Sequence, residues 1–179
     1  MQLSVIKCDS SIEEYMHTKI IGSFNNALAS IDQSNVFVAE QLADAVTFNL
    51  YQKTSDHITS DEIHLLITSA LLATGYPEAA QFLSEYRSIR KVQRNRVLVV
   101  CQQDGCDGPA VQWNKSRIVE DIMEADICDR HVARAIASSV EEKILNIEMP
   151  KVPAALIEQL VSSETEAMLQ AQEQLQTIN

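Results

Sequence analysis

The chain carries one pattern twice. Residues 38–46, Val-Ala-Glu-Gln-Leu-Ala-Asp-Ala-Val, match residues 132–140, Val-Ala-Arg-Ala-Ile-Ala-Ser-Ser-Val, in apolar pattern, 94 residues later. At the same offset Ile58 meets Val152 and Ile63 meets Ile157; upstream, Tyr15, Lys19 and Ile20 meet Trp113, Arg117 and Ile118 at an offset of 98. The two offsets differ by one short loop. A period of about 95 residues is too long for a solenoid and suits a duplicated small domain. Two domains are therefore expected, residues 1–91 and 95–179, each able to bury a modest core. No low-complexity linker separates them. The junction is basic instead: Arg87, Arg90, Lys91, Arg94 and Arg96.

Within the first half, residues 2–8 read as a strand, Asp9-Ser10-Ser11 as a turn and residues 12–15 as the returning strand of a hairpin. Ile20, Ile21, Phe24, Ala27 and Leu28 then fall at helical spacing, predicting a helix over about 18–30. Ser34 or Asn35 caps a second helix carrying the stripe Val38, Leu42, Val46, Leu50. Thr59 and Glu62 form a capping-box pattern for a third, which Gly75 ends, and Pro77 opens a fourth running to about Arg90. The second half predicts a strand over 96–102, a turn at Asp104-Gly105, a return at 110–113 and helices at about 115–125, 129–146, 153–162 and 164–176. Pro153 would open the third of these, and Ser163 with Glu166 would box the fourth. The expected fold class is α+β, mainly α: two tandem copies of a small β-hairpin followed by a four-helix cluster.

Charge and cysteine usage narrow the function. The net charge of −11 is spread evenly, −5 over residues 1–91 and −6 over 92–179, so nucleic-acid binding is a poor default. Cys8, Cys101, Cys106 and Cys128 form no CxxC pair, which argues against a zinc ribbon or other structural metal, and His17, His57, His64 and His131 lack ligand spacing. No secretory leader and no membrane-spanning run is read, so a cytoplasmic location is expected. Neither common glycine-rich phosphate loop occurs. No nucleophile–base–acid set stands out either: Glu13/Glu14 and Glu141/Glu142 are sequence neighbours that share no face, and the expectation is a protein that is not an enzyme.

The first half does carry an anion-binding pattern. Val5-Ile-Lys7-Cys8-Asp9, then Glu13-x-Tyr15-x-x-x-Lys19-Ile20, resembles the opening of the ATP-cone, whose usual form is close to V-x-K-R-D-G-x-x-E-x-F-x-x-x-K-I. Residues 58–63 and the run Ala79-Ala80 to Tyr86-Arg87-x-x-Arg90 are similar to that family's ending, so the resemblance spans nearly all of residues 2–91. ATP-cones are ATP/dATP-sensing modules of ribonucleotide reductases and of the transcriptional repressor of reductase operons; the second half resembles a diverged copy. The resemblance implies nucleotide contacts at Val5, Lys7, Glu13, Lys19, Ile20, Thr59 and Lys91. Independently, Lys7 and Lys19 can converge beside the hairpin, a helix N-terminus favours phosphate, Glu13 can accept from adenine or ribose, and Arg87, Arg90 and Lys91 can close over the phosphates.

Two departures mark this copy: Cys8 stands where the family has arginine, and Ser10 where it has the turn glycine, so a positive φ there would be strained. In the second half Lys7 aligns with Gln102, Cys8 with Gln103 and Glu13 with Val111, leaving Arg117 as the surviving cation. That half reads as structural or partner-binding. The expected ligand is ATP or dATP, as its magnesium complex, and the expected partners are a regulated enzyme or regulator, or a second copy. The expected role is a non-catalytic regulator acting in trans on nucleotide metabolism. The alternatives are an interaction module that kept the fold and lost the ligand, and a DNA-associated regulator using the basic stretch. Plainer readings also stand: the lysines as solvated charges, the basic stretch as a helix-end complement, Trp113 as core and the cysteines as inert.

Overall fold

The computed structural model describes residues 3–8, 10–53, 55–103 and 106–177. Among them it is mainly helical with two small sheets, and the chain divides into two compact units at Ile89/Arg90. The expected turn at Asp104-Gly105, Asp9, and the side chains of Gln102, Gln103, Cys106 and Leu175 lie outside the described residues.

The first unit begins with β1 (Ser4–Ile6) and β2 (Ile12–Glu14), an antiparallel pair in which Val5 faces Glu13. Ser10, in the tight turn between them, takes a φ of 66°, the left-handed region where a glycine would be unstrained. The helices α1 (His17–Ala29) and α2 (Val36–Tyr51) follow, the second capped by the Asn35 side chain on the Phe37 and Val38 amides. The chain then returns as a third strand, β3 (His57–Thr59), parallel to β1, giving the sheet order β2-β1-β3. A bare hairpin was expected here. Three residues are too few for alternation to register, and only Ile58 of the three is buried. Next come α3 (Ser60–Ala73), opened by the full Thr59–Glu62 capping box, and α4 (Pro77–Arg96), entered through Gly75 at φ 87°. The core is Phe24, Ala27 and Leu28 of α1, Ala43, Val46 and Leu50 of α2, Ile67 and Leu71 of α3, with Ala79 and Ala80 of α4.

Helix α4 runs one and a half turns beyond the expected stop at Arg90, because nothing from Arg90 to Arg96 breaks a helix and the arginines suit its C-terminal end. The second unit pairs β4 (Leu98–Gln103) with β5 (Cys106–Gln112) antiparallel and with β6 (Lys151–Pro153) parallel, in the order β5-β4-β6. Backbone bonds recur 94 residues apart: Ser4 N–H to Asp56 C=O at 2.9 Å and Leu98 N–H to Pro150 C=O at 2.9 Å. Between the strands lie α5 (Lys115–Glu124) and α6 (Arg130–Ile147). Their core is Ile118, Ile122, Ala133, Ile136, Ala137, Val140 and Ile144, with Val152.

The last two expected helices are one. Helix α7 (Ala154–Thr177) passes straight through Ser163 and Glu166, which therefore form no capping box. A box needs its serine outside the helix. The stretch around Ser163 holds no glycine or proline to stop a helix, so it continues. This unit has three helices among the described residues, not four.

Candidate functional site

The sheet of the first unit presents a carboxylate on its inner face. Because Glu13 pairs with the buried Val5, their side chains share the face turned toward the helices, while Ile12 and Glu14 are exposed. An inward carboxylate on an edge strand needs countercharge, and two lysines supply it. Lys7, just past the end of β1, and Lys19, in the first turn of α1, each place Nζ 3.0 Å from the same oxygen, Glu13 Oε2. The Glu13 side chain is only 15% exposed. Burial pushes its pKa up, but the Lys19 hydrogen bond and the charges of Lys7 and Lys19 outweigh this and hold it at about 2. The result is a two-lysine clasp on one carboxylate oxygen at the start of α1, whose N-cap residue Met16 makes no side-chain cap hydrogen bond.

The start of α3 adjoins the same end of β1, since Ile6 pairs with Thr59 and the Cys8 Sγ lies 3.7 Å from Ser60 Oγ and 3.9 Å from Asp61 Oδ1. Arg87 of α4 reaches the same helix start, donating from Nη1 to the Ser60 carbonyl at 2.9 Å and pairing through Nη2 with Asp61. Burial, with the Arg87 charge, lowers the His64 pKa against the opposing pull of Asp61.

Of the sequence-predicted site residues, the structure brings Lys7, Glu13 and Lys19 together. Val5 and Ile20 lie in the core, 8% and 5% exposed, Val5 paired with Glu13 across the hairpin and Ile20 next to Lys19 in sequence. Thr59 is occupied as a helix cap: its Oγ1 accepts from the Glu62 amide at 3.1 Å. Arg87 is bound to α3, and Lys91 is exposed on α4, in the second unit. Arg90, also expected over the phosphates, is paired here with a carboxylate of the second unit.

That carboxylate is Glu141, which sequence reasoning passed over. It is fully buried on α6 and takes Arg94 in a bidentate pair, Nε to Oε1 and Nη2 to Oε2, both at 2.8 Å. Arg90 Nη2 donates at 3.1 Å, the Trp113 indole at 3.2 Å, and the Lys115 ammonium lies 3.9 Å away. Burial raises its pKa, but Arg94, then Lys115 and Trp113, hold it below the ordinary range. A signal existed in the repeat: Glu141 stands 94 residues after Thr47, which hydrogen-bonds Tyr15 at 2.7 Å and His17 at 2.9 Å. Trp113 and Lys115 stand 98 residues after those two partners.

Val5 pairs with Ile58 and Glu13 as Val99 pairs with Val152 and Val111, but beyond Val100 the β4–β5 register shifts, so pairing assigns Lys7 no single counterpart. Neither Cys101 nor Gln102 is a cation and Val111 is no carboxylate; Arg117 is exposed on α5. Among the described residues no three His, Cys, Asp or Glu side chains group to hold a metal, and no helix is long and apolar enough to cross a membrane.

Comparison with known proteins finds a match to the ATP cone domain over residues 3–92. An anaerobic ribonucleoside-triphosphate reductase of Haemophilus influenzae is 28% identical over 92 residues, covering 51% of this chain and 13% of that enzyme.

Proposed function

The chain belongs to the ATP-cone domain family, and we propose that its first unit binds ATP or dATP at the clasp of Lys7, Glu13 and Lys19. The observation that carries this reading is the pair of ammonium groups held 3.0 Å from one carboxylate oxygen. Phosphate oxygens displace that carboxylate from the lysines, exchanging one anion for another without a net loss of charge pairing. The released Glu13 then accepts a hydrogen bond from the adenine amino group or a ribose hydroxyl. Charge-assisted bonds of this kind contribute roughly 1.5–3 kcal/mol each. The start of α1 adds backbone N–H donors and a partial positive charge. Magnesium would arrive with the phosphates, since Glu13, once released, turns to the adenine or ribose.

In this reading the protein is not an enzyme. It is a regulator whose nucleotide state biases binding to a partner in nucleotide metabolism, which requires different nucleotide affinities in the two states. The second unit is a diverged copy with a structural or partner-binding role. The shared strand order and the bonds repeated at offset 94 support the duplication, and Cys101 and Val111 support the loss of its ligand. One set of observations favours the other reading, an interaction module without a ligand: Arg87 and Thr59 are already bound within the fold, and Ser10 holds a strained turn. Calorimetric titration with ATP, dATP and GTP decides. Adenine-selective binding that Lys7→Ala and Lys19→Ala each weaken at least tenfold supports the sensor; no heat at millimolar nucleotide supports the module.

A further inference from the structure

The second unit holds an apolar groove. It runs between α5 and α7 with a volume of about 350 Å³. Its floor is aliphatic, formed by Ile118, Ile127, Ile157 and Val161. Its rim is acidic, carrying Asp121 on α5 and Glu158 and Glu166 on α7. From Ile157 to Glu166 the groove follows α7 for about 14 Å, roughly two and a half helical turns.

The first unit shows what such a slot ordinarily holds. At the positions 94 residues before Ile157, Val161 and Thr165 stand Ile63, Ile67 and Leu71, all buried, in one apolar cluster with Ala79, Ala80 and Leu83 of the returning helix α4. In the second unit α7 continues through the corresponding position to Thr177, and Ile157 and Val161 stay half-exposed. The rim has changed with it. At the register positions of Asp121, Glu158 and Glu166 the first unit carries Ser23, His64 and Leu72, none of them acidic.

We propose that this groove binds a basic amphipathic helix of another protein, laid where a returning fourth helix would lie. The aliphatic floor takes its apolar residues at i, i+4 and i+7. The three rim carboxylates take lysines or arginines on its flanks, and this charge match selects a basic partner over the acidic chain itself. The proposal is independent of nucleotide binding by the first unit.

The test uses the full chain and a fluorescein-labelled Leu/Lys peptide of helical period, about four turns long, read by fluorescence anisotropy. Micromolar binding is expected. It should weaken at least tenfold in Glu158→Lys/Glu166→Lys, and also in Ser162→Trp, which fills the groove from an exposed position. A charge-matched control, Glu40→Lys/Glu142→Lys, alters exposed acids outside the groove and should change affinity less than twofold. Equal loss in the control would reduce the binding to general attraction toward an acidic chain and overturn the proposal. So would binding of a Leu/Glu peptide as tight as that of the Leu/Lys peptide. Sedimentation showing a dimer that Ser162→Trp dissolves would assign the groove to a second copy and overturn it as well.

Discussion

Replacing Glu13 by glutamine separates the clasp's electrostatics from its shape. The side chain keeps its size and can still accept a hydrogen bond, but the two lysines lose their shared countercharge. A carboxyl held at about 2 rather than 4.5 is linked to roughly 3 kcal/mol at most. Because the lysine side chains are 35% and 45% exposed, screening reduces this to about 1–2 kcal/mol. The folded pKa is depressed, so this stabilisation is present above pH 4.5 and is lost as the pH falls toward 2. Urea unfolding followed by circular dichroism should show the wild type gaining about 1–2 kcal/mol over Glu13→Gln between pH 2 and pH 5. A carboxyl-carbon NMR titration should place the Glu13 midpoint well below that of exposed glutamates. If Glu13 titrates near 4.5, or the two pH profiles run parallel, the clasp is not the charge pair described. The variant also tests the anion exchange: it should bind inorganic triphosphate more tightly and prefer ATP over triphosphate less than the wild type does.

Other perturbations read other parts of the chain. Ser10→Gly should stabilise the first unit by about 0.5–1 kcal/mol, relieving a positive φ; thermal unfolding checks it. Thr59→Ala should cost about 1 kcal/mol by removing the α3 cap, read by thermal unfolding. Glu141→Ala should cost about 1–3 kcal/mol, seen in urea unfolding followed by Trp113 fluorescence, because it removes a buried acceptor from the Trp113 indole and the Arg94 and Arg90 guanidiniums, with the arginine contribution reduced by the 47% exposure of Arg94.

The parts of the fold legible in the sequence were those set by local chemistry. Asn35, Thr59 with Glu62, Gly75 and Pro77 each stand at an element boundary. Apolar spacing placed α1, α2, α5 and α6 within a few residues of their observed limits. The third strands were hidden because a three-residue parallel strand is defined by its partner, not by its own pattern. The fusion into α7 was hidden because Ser163-x-x-Glu166 has the letters of a box, while whether the helix stops there depends on what surrounds it. At the site, the convergence of Lys7 and Lys19 was readable from spacing, whereas their closing on Glu13 was not, since it depends on the strand register that turns Glu13 inward. The fates of Arg87 and Arg90 were not, since both are decided by carboxylates distant in sequence, Asp61 and Glu141.

The central claim is that the clasp is a nucleotide site, and a thermal-shift titration tests it most directly. Saturation at about 100 times the dissociation constant stabilises by roughly 2.7 kcal/mol, or about 5–10 °C for a chain of this size. The account predicts such a rise with ATP or dATP and magnesium, little with GTP, and none in the Lys7→Ala/Lys19→Ala variant. A wild-type melting curve unmoved by millimolar ATP and dATP would contradict it.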